Sequence, residues 1–352
     1  MSNLIENMTR QTAQWLSGEG QDNDIVISSR VRLARNLHAY PFGDRASDEQ
    51  QQNVLSTILK AAKNSKSLKD ANHFDMFALD ELDRQVFVER WLISTDFAEM
   101  KNPRVLLVTQ DEDIGLMINE EDHLRLQVIG SGLSLEQSWI AISRLHEELS
   151  QELTFAFSDR FGYLTACPSN VGTGIRFSVF VHLPGLTFTK KIEEAFAKIV
   201  PAGVTVRGFY GEGSKLIGNF FQVSNQYTLG WTEQGILDRI TPLIERFIGE
   251  EREARHNIMN DTRIVVEDKI YRTLAILSKA RLLSFIEFLE LLSTLRLGVE
   301  LGIVEEISKK VFNELMVMTQ PAHIQKCEGK TLGELERDAL RANLVRETLH
   351  LN

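Results

Sequence analysis

Two arginines spaced two residues apart are the first feature of the sequence that could perform chemistry. Arg30 and Arg32 lie in the run from Ser28 to Arg35, and in an extended chain their side chains share one face of the strand. Two guanidinium groups held side by side can each donate paired hydrogen bonds to phosphate oxygens. Basic extended runs also occur as solvated surface strands, so the spacing alone leaves both interpretations open.

Three more arginines could extend such a phosphate site. Arg125, Arg176 and Arg207 each stand beside a short polar or glycine-containing segment. Several separate arginines favour polyphosphate binding by side chains over binding by a glycine-rich loop. The segment Gly329-Lys-Thr331 ends like a P-loop, but Ile324 occupies the position where that motif requires its first glycine. The H-R-D and D-F-G motifs of ordinary protein kinases are also missing from the sequence.

Carboxylate and thiol groups form a second set of candidate reactive residues. The run from Asn119 to His123 is acidic and precedes a strand-like stretch, although such runs are commonly solvated turns. Cys167 stands before a proline and a glycine-rich turn; free cysteines are commonly small buried apolar residues, but this position favours a functional role. The loop from Arg207 to Gly213 presents Glu212 at its tip, and its glycines would let it close over a ligand.

The elements that would position these residues change in character near residue 255. Upstream, strand-like runs alternate with helical stretches, and downstream apolar residues recur at helical spacing. Serine or threonine stands at capping-box spacing before three helices, at Ser134, Ser284 and Thr331. We therefore predict an α+β fold with a lead-in at 1–23, a catalytic domain at 24–254 and an all-α domain at 255–352. The predicted helices upstream are 48–64, 79–92, 135–149 and 189–199, and the predicted strands are 104–109, 124–129, 177–181 and 220–223.

Composition narrows the class of protein further. The 352 residues include 39 lysines and arginines against 49 aspartates and glutamates, and the net charge of -10 disfavours direct binding of nucleic acid. Only Cys167 and Cys327 are present, without the spacing of a zinc or disulfide framework. The sequence contains no run of about 18 apolar residues and no secretory signal pattern. We expect a protein of the reducing cytoplasm that does not enter membranes.

Taken together, the arginine pair, the acidic run, the cysteine turn and the glycine loop resemble the motif set of the phosphagen (guanidino) kinases, in the same order. The segments 37–42 and 223–233 are also similar to that family, so the resemblance spans about residues 24–254. It implies a catalytic domain built on an antiparallel sheet flanked by helices. The small helical domain that encloses free arginine or creatine has no counterpart ahead of Asp24, and a helical extension follows instead. This arrangement resembles the bacterial branch of the family, which phosphorylates arginine side chains of other proteins.

The resemblance implies a role for each motif. Glu121 and Glu212 would hold the acceptor guanidinium from two sides, with Glu121 as the base, and Cys167 would orient a nitrogen that does not react. Mg-ATP would be the phosphoryl donor, with no metal held by a dedicated protein site. Trp91 stands where relatives tend to carry a histidine, and it would stack on the nucleotide. The predicted ATP-binding residues are Ile27, Ser28, Ser29, Arg30, Val31, Arg32, Arg125, Arg176, Phe177, Ser178, Val179, Phe180, Arg207, Gly208, Phe209, Tyr210, Gly211 and Glu212.

A second site is predicted in the helical tail. Arg337 and Arg341 lie four residues apart with Asp338 between them, a spacing also typical of a solvated charged helix. With Ala342 they resemble the phosphoarginine pocket of the same branch of the family. That resemblance implies allosteric activation by phosphoarginine and assembly of the kinase into homo-oligomers.

The resemblance also implies partners and leaves two alternatives. Protein substrates would include a heat-shock repressor, a zinc-finger-type protein would activate the kinase, and a Clp-type unfoldase and protease would degrade the marked proteins in a stress response. One alternative is a kinase for free arginine or another small guanidino compound. The other is an inactive adaptor that binds phosphoarginine.

Overall fold

The structure is a computed structural model, and it describes residues 2–99, 102–209, 217–305 and 307–350. The helices of these residues are α1 (Ser2–Arg10), α2 (Asp48–Asn64), α3 (Glu81–Glu89), α4 (Thr95–Glu99), α5 (Leu135–Ser150), α6 (Pro184–Phe188), α7 (Ile192–Ile199), α8 (Glu233–Asp261), α9 (Arg263–Lys279), α10 (Phe285–Glu300), α11 (Lys309–Met318), α12 (Pro321–Glu328) and α13 (Glu334–Thr348). The strands are β1 (Val26–Arg35), β2 (Asn72–Asp75), β3 (Val105–Val108), β4 (Ile114–Ile118), β5 (Leu124–Ser131), β6 (Phe157–Ser158), β7 (Gly162–Tyr163), β8 (Ile175–His182), β9 (Val204–Arg207) and β10 (Phe220–Asn225).

Eight strands form one antiparallel sheet in the order β2-β3-β4-β5-β1-β8-β10-β9, and β6 pairs with β7 separately. Side chains alternate between the two faces of each strand. Val31 and Leu33 of β1, with Phe177 and Val179 of β8, therefore point to one face, where they pack in the main hydrophobic core with helices α2, α5 and α8. The alternate residues of the same strands form a polar face. The predicted α+β class with an antiparallel sheet is confirmed.

The C-terminal helices share a core with the sheet. Ile27 of β1, Phe180 of β8 and Phe220 of β10 belong to the same buried cluster as Phe288 of α10 and Phe312 of α11. The predicted boundary between 254 and 255 falls inside α8, which continues as one helix to Asp261. Composition changes at that point while the helix does not end, so the structure shows no separation of two bodies there.

The N-terminal residues also belong to the packed structure. Ile5 and Met8 of α1 are buried in a cluster with Phe87 of α3 and Ala322 of α12. The predicted lead-in at 1–23 therefore joins the catalytic part to the C-terminal helices. Among the described residues, no helix is both long enough and apolar enough to cross a membrane.

The three predicted capping boxes have different outcomes. Ser284 caps α10, because its Oγ accepts a hydrogen bond from the Glu287 backbone N–H at 3.2 Å. The prediction at Ser134 is wrong: its side chain makes no capping bond at the start of α5. The prediction at Thr331 is also wrong, because α13 begins at Glu334 and Gly333 is its N-cap.

Candidate active site

The polar face of the sheet forms the floor of a large open cleft with a volume of about 1710 Å³. The floor comes from β1, β5, β8, β9 and β10, and the walls come from α3, α4, the loops 120–122 and 167–170, and the start of α12. The predicted arginines all line this one cleft. They are Arg30, Arg32, Arg125, Arg176 and Arg207.

Strand register brings these arginines together. Arg32 lies directly opposite Arg176 on the neighbouring strand β8, and Ala34 lies opposite Arg125 on β5. Arg30 is two residues before Arg32 and points to the same face. Neighbouring strands are about 4.8 Å apart, so the guanidinium groups enter one volume from three adjacent strands.

Arg30 and Arg32 lie in an environment that disfavours their positive charge. Burial, reinforced by the charges of Arg125, Arg176 and Arg207, lowers the pKa of Arg30 to about 9. Burial and three neighbouring arginines lower the pKa of Arg32 well below its usual value. The Nε of Arg32 is buried without a hydrogen-bond partner in the part of the chain that the structure describes. A buried donor among like charges is costly unless an anion occupies the space beside it.

The acidic run contributes two carboxylates with different surroundings. Glu120 is buried, accepts a hydrogen bond from Ser94 Oγ and lies 2.6 Å from the Nη1 of Arg125. Burial opposes the charge on both partners, but the pairing outweighs it, raising the pKa of Arg125 and lowering the pKa of Glu120. Glu121 is exposed at the cleft, and no described residue donates a hydrogen bond to its carboxylate. It is therefore the member of the run that is available to an acceptor.

Asp122 ties the acidic run to the cysteine turn. Its Oδ1 accepts hydrogen bonds from the backbone N–H of Ala166 at 2.7 Å and from Asn36 Nδ2 at 2.5 Å. Burial raises the pKa of Asp122. Cys167 follows Ala166, is half-buried at the cleft, and places its Sγ 3.0 Å from the Oγ of Ser169. The buried aspartate thus fixes Glu121 and Cys167 on neighbouring loops.

Aromatic rings close the opposite end of the cleft. The ring centroid of Trp91 lies 4.6 Å from that of Phe180 and 5.6 Å from that of Phe209. The carbonyl of Trp91 accepts a hydrogen bond from Gln127 Nε2 at 3.0 Å. All four residues line the cleft, so these rings form an apolar wall beside the arginines.

The carboxylates, the arginines and the aromatic rings follow one another along β1. Ala34, at the carboxylate end, is six residues from Ser28, which pairs with Phe180 at the aromatic end, and Arg30 and Arg32 lie between them. At about 3.3 Å per residue the two ends are roughly 20 Å apart. The acceptor of a phosphoryl group, a triphosphate and the aromatic base of a nucleotide can lie in that order along the strand.

Some of the predicted ATP-binding residues do not line the cleft. Val31, Phe177 and Val179 point into the core on the opposite face, because alternate residues of a strand face opposite ways. Ile27 is buried with the C-terminal helices. Ser29 is buried, and its hydroxyl holds the loop before α5 through hydrogen bonds with the carbonyl of Gly132 and the N–H of Ser134. Gly208 is buried beside β9 and is not part of the cleft wall. The predicted residues Tyr210, Gly211 and Glu212 lie outside the described residues.

The four residues predicted for phosphoarginine lie on α13, away from the cleft. Arg337 and Asp338 are half-buried, and the Nη1 of Arg337 donates to the carbonyl of Leu332 at 2.8 Å. Arg341 is buried and donates to the carbonyls of Thr319 and Leu283 and to Asp338, while Ala342 is wholly buried in the core. Arg337 and Asp338 are thus the more accessible members of this set.

Sequence reasoning missed two parts of the cleft. Glu120 received no role, although its place in the acidic run five residues before Arg125 was a usable signal. The wall provided by α12 gave no signal. Its N-cap residue Gln320 and its residues Ala322 and Gln325 line the cleft more than 90 residues after Gln226.

The fold and the cleft define an ATP-dependent phosphotransferase of the guanidino kinase type. The family described as ATP:guanido phosphotransferase, C-terminal catalytic domain, matches residues 52–254. The family described as Protein-arginine kinase McsB C-terminal domain matches residues 263–352. The chain belongs to the ATP:guanido phosphotransferase family, and to its protein-arginine kinase branch.

Full-length relatives and solved structures agree with this assignment. Protein-arginine kinase of Halothermothrix orenii is 43% identical over 348 residues, covering 99% of both chains. That of Clostridium tetani is 42% identical, covering 95% of this chain and 98% of its own. The duplicated taurocyamine kinase of Schistosoma mansoni, solved with transition state analog components, is similar with a TM-score of 0.60 and 25% identity over 65% of this chain and 33% of its own. Lombricine kinase has a TM-score of 0.58 at 20% identity, over 69% of this chain and 70% of its own, which shows a shared fold.

Proposed function

We propose that this protein transfers the γ-phosphoryl group of ATP to arginine side chains of other proteins. The observation that carries the proposal is the group of arginines that converge around the unpartnered Nε of Arg32. A triphosphate would neutralise their mutual repulsion and accept their hydrogen bonds. The full-length relatives that are named protein-arginine kinases supply the acceptor class.

The acceptor end of the cleft fits a guanidinium group. Guanidinium is planar and protonated at neutral pH, so it must lose a proton as its nitrogen attacks phosphorus. The Glu121 carboxylate would accept that proton, and Glu212 would hold the other side of the group. The Cys167 thiol would orient a nitrogen that does not react. Phosphoryl transfer requires little covalent chemistry from the protein, so positioning and charge stabilisation supply most of the rate.

Mg²⁺ would enter with the nucleotide. Among the described residues, no group of three His, Cys, Asp or Glu side chains is arranged to hold a metal ion. Mg²⁺ in kinase sites binds mainly through substrate phosphates and water, with one or two carboxylates. When bound, the ion would neutralise phosphate charge, while the arginines hold the phosphoryl oxygens and the aromatic wall holds the base.

The proposal extends to the setting of the reaction. Substrates would include a heat-shock repressor, and phosphorylated proteins would pass to a Clp-type unfoldase and protease in a stress response. The proposal also includes a zinc-finger-type activator protein and assembly into homo-oligomers. It further includes allosteric activation by phosphoarginine bound at Arg337 and Asp338. The location would be cytoplasmic, consistent with two free cysteines.

The test is a transfer assay with labelled ATP and two acceptors, an unfolded arginine-rich protein and free arginine. We expect acid-labile phosphate on the protein acceptor. Glu121→Gln should lower transfer by about 100-fold or more while ATP binding stays within about twofold, because the residue faces the acceptor. Glu136→Gln, an exposed change on α5, is the matched control. Label on free arginine alone, or on neither acceptor, would overturn the proposal.

A further inference from the structure

A carboxylate of the catalytic part caps a helix of the C-terminal part. Glu89, the last residue of α3, accepts hydrogen bonds from the backbone N–H groups of Ala322 and His323 at 2.7 and 2.9 Å. It also accepts one from His323 Nδ1 at 2.7 Å. The side chain of Gln320 donates to the Glu89 carbonyl at 2.9 Å. The N-terminal end of α12 is thus bound to one residue, and a carboxylate at a helix N-terminus is favourable.

Arg90, the next residue, is also held by several hydrogen bonds. Arg90 is buried and pairs with Glu112 through two hydrogen bonds of 2.7 and 2.5 Å. Its Nη1 lies 3.5 Å from the Nε2 of His323, and its Nη2 donates to the carbonyl of Gln11 at 3.2 Å. Glu89 and Arg90 therefore leave the chain little freedom at the end of α3.

Trp91 follows directly, with its backbone in the left-handed region at φ 58°. A large side chain in this region is uncommon, and such a conformation costs roughly 1–3 kcal/mol unless the surroundings impose it. The conformation turns the indole ring against Phe180 and Phe209 at the aromatic end of the cleft. Neighbouring groups must therefore hold Trp91 in this strained conformation.

We propose that Glu89 and His323 are positioning residues for the nucleotide. By binding the start of α12, they hold Trp91 in its left-handed conformation, where its ring forms the wall for the base. The C-terminal helical region would then contribute to the ATP site. This inference rests on the proposed placement of the nucleotide along β1.

The experiment measures KM for ATP and kcat separately in Glu89→Gln and His323→Ala. We expect KM to rise about 5- to 20-fold, because base stacking on an aromatic ring contributes that much, with kcat within about twofold. His323→Asn, whose amide can still donate to Glu89, should keep most of the affinity. Glu328→Gln, an exposed change at the other end of α12, is the control. A fall in kcat with unchanged KM would overturn the inference.

A double-mutant cycle with Trp91→Ala shows whether Glu89 acts through the ring. ADP binding is measured by calorimetry, and thermal unfolding confirms that each variant is folded. If Glu89 acts through Trp91, the substitution Glu89→Gln should have little further effect once the ring is removed. Equal effects in both backgrounds, or no effect of Trp91→Ala, would overturn the inference. Transfer by the unaltered protein would still support the proposed function in either case.

Discussion

At the scale of single residues, Arg32 lowers the stability of the free protein at a position where it would favour the binding of an anion. Arg32 is half-buried, lies opposite Arg176 on the neighbouring strand, and has a buried Nε without a hydrogen-bond partner among the described residues. Each of these features opposes folding when no anion is present. Proteins commonly accept such local costs where a ligand is bound.

Arg32→Gln should therefore make the free protein more stable while removing its activity. Loss of one positive charge among neighbouring arginines should raise the melting temperature without nucleotide by about 1–3 °C. Transfer should fall by about 100-fold or more, since a phosphate contact is lost. Differential scanning calorimetry of the nucleotide-free protein measures the first effect, and the transfer assay with labelled ATP measures the second. A lower melting temperature in the free variant would show that the arginine stabilises the fold.

At the scale of elements, alternation and helical periodicity predicted what lies close in the chain. The bounds predicted for α2, 48–64, agree with the structure, and the two-residue spacing of Arg30 and Arg32 does place them on one face of β1. Sequence patterns do not reveal contacts between distant segments. The capping of α12 by Glu89 joins residues more than 230 positions apart, and nothing near either end marks it. Which arginines and carboxylates meet is decided by strand order, which a single sequence does not state.

Two short loops depend on one buried aspartate, and this predicts a separable defect. Asp122→Ala removes the acceptor shared by Ala166 and Asn36, so Glu121 and Cys167 should lose their fixed separation. We expect kcat to fall by about 10- to 100-fold, because small misplacements of a reacting group are costly. KM for ATP should stay within about twofold, since the aromatic wall is at the other end of the cleft. Asp159→Ala, an exposed change, is the control. Equal losses in kcat and in ATP affinity would contradict the prediction that Asp122 affects the acceptor end of the cleft alone.

At the scale of the whole molecule, the helical tail and the sheet form one folded body. Phe180 and Phe220 contribute to both the sheet and the core under the C-terminal helices. Arg341, from the predicted phosphoarginine set, donates to the carbonyl of Thr319 at 2.7 Å. Thr319 leads into Gln320 and the capped start of α12, so continuous contacts run from that helix to the cleft. The proposed activation by phosphoarginine would therefore need no large motion if the capped turn responds to binding at α13.

Buried histidines should make this single body sensitive to acid. His123, His146, His182 and His323 are largely buried, and burial lowers the pKa of each, for His146 to about 4. Between about pH 6.5 and pH 4 the unfolded chain therefore binds more protons at His146 than the folded chain does. The free energy of unfolding should fall as the pH is lowered through that range.

The substitution His146→Gln tests this directly, because glutamine can still accept the 3.1 Å hydrogen bond from the Nε of Arg35 but does not titrate. Between pH 7 and pH 5 the variant should lose about 1 to 2 kcal/mol less of its free energy of unfolding than the parent protein. Urea unfolding at both pH values measures the difference. His73→Gln, an exposed change on β2, should leave the parent slope unaltered. Parallel losses in all three proteins would mean that His146 takes up its proton in the fold at the same pH as in the unfolded chain, against the environment of Arg35 and the Phe155 ring in which it lies.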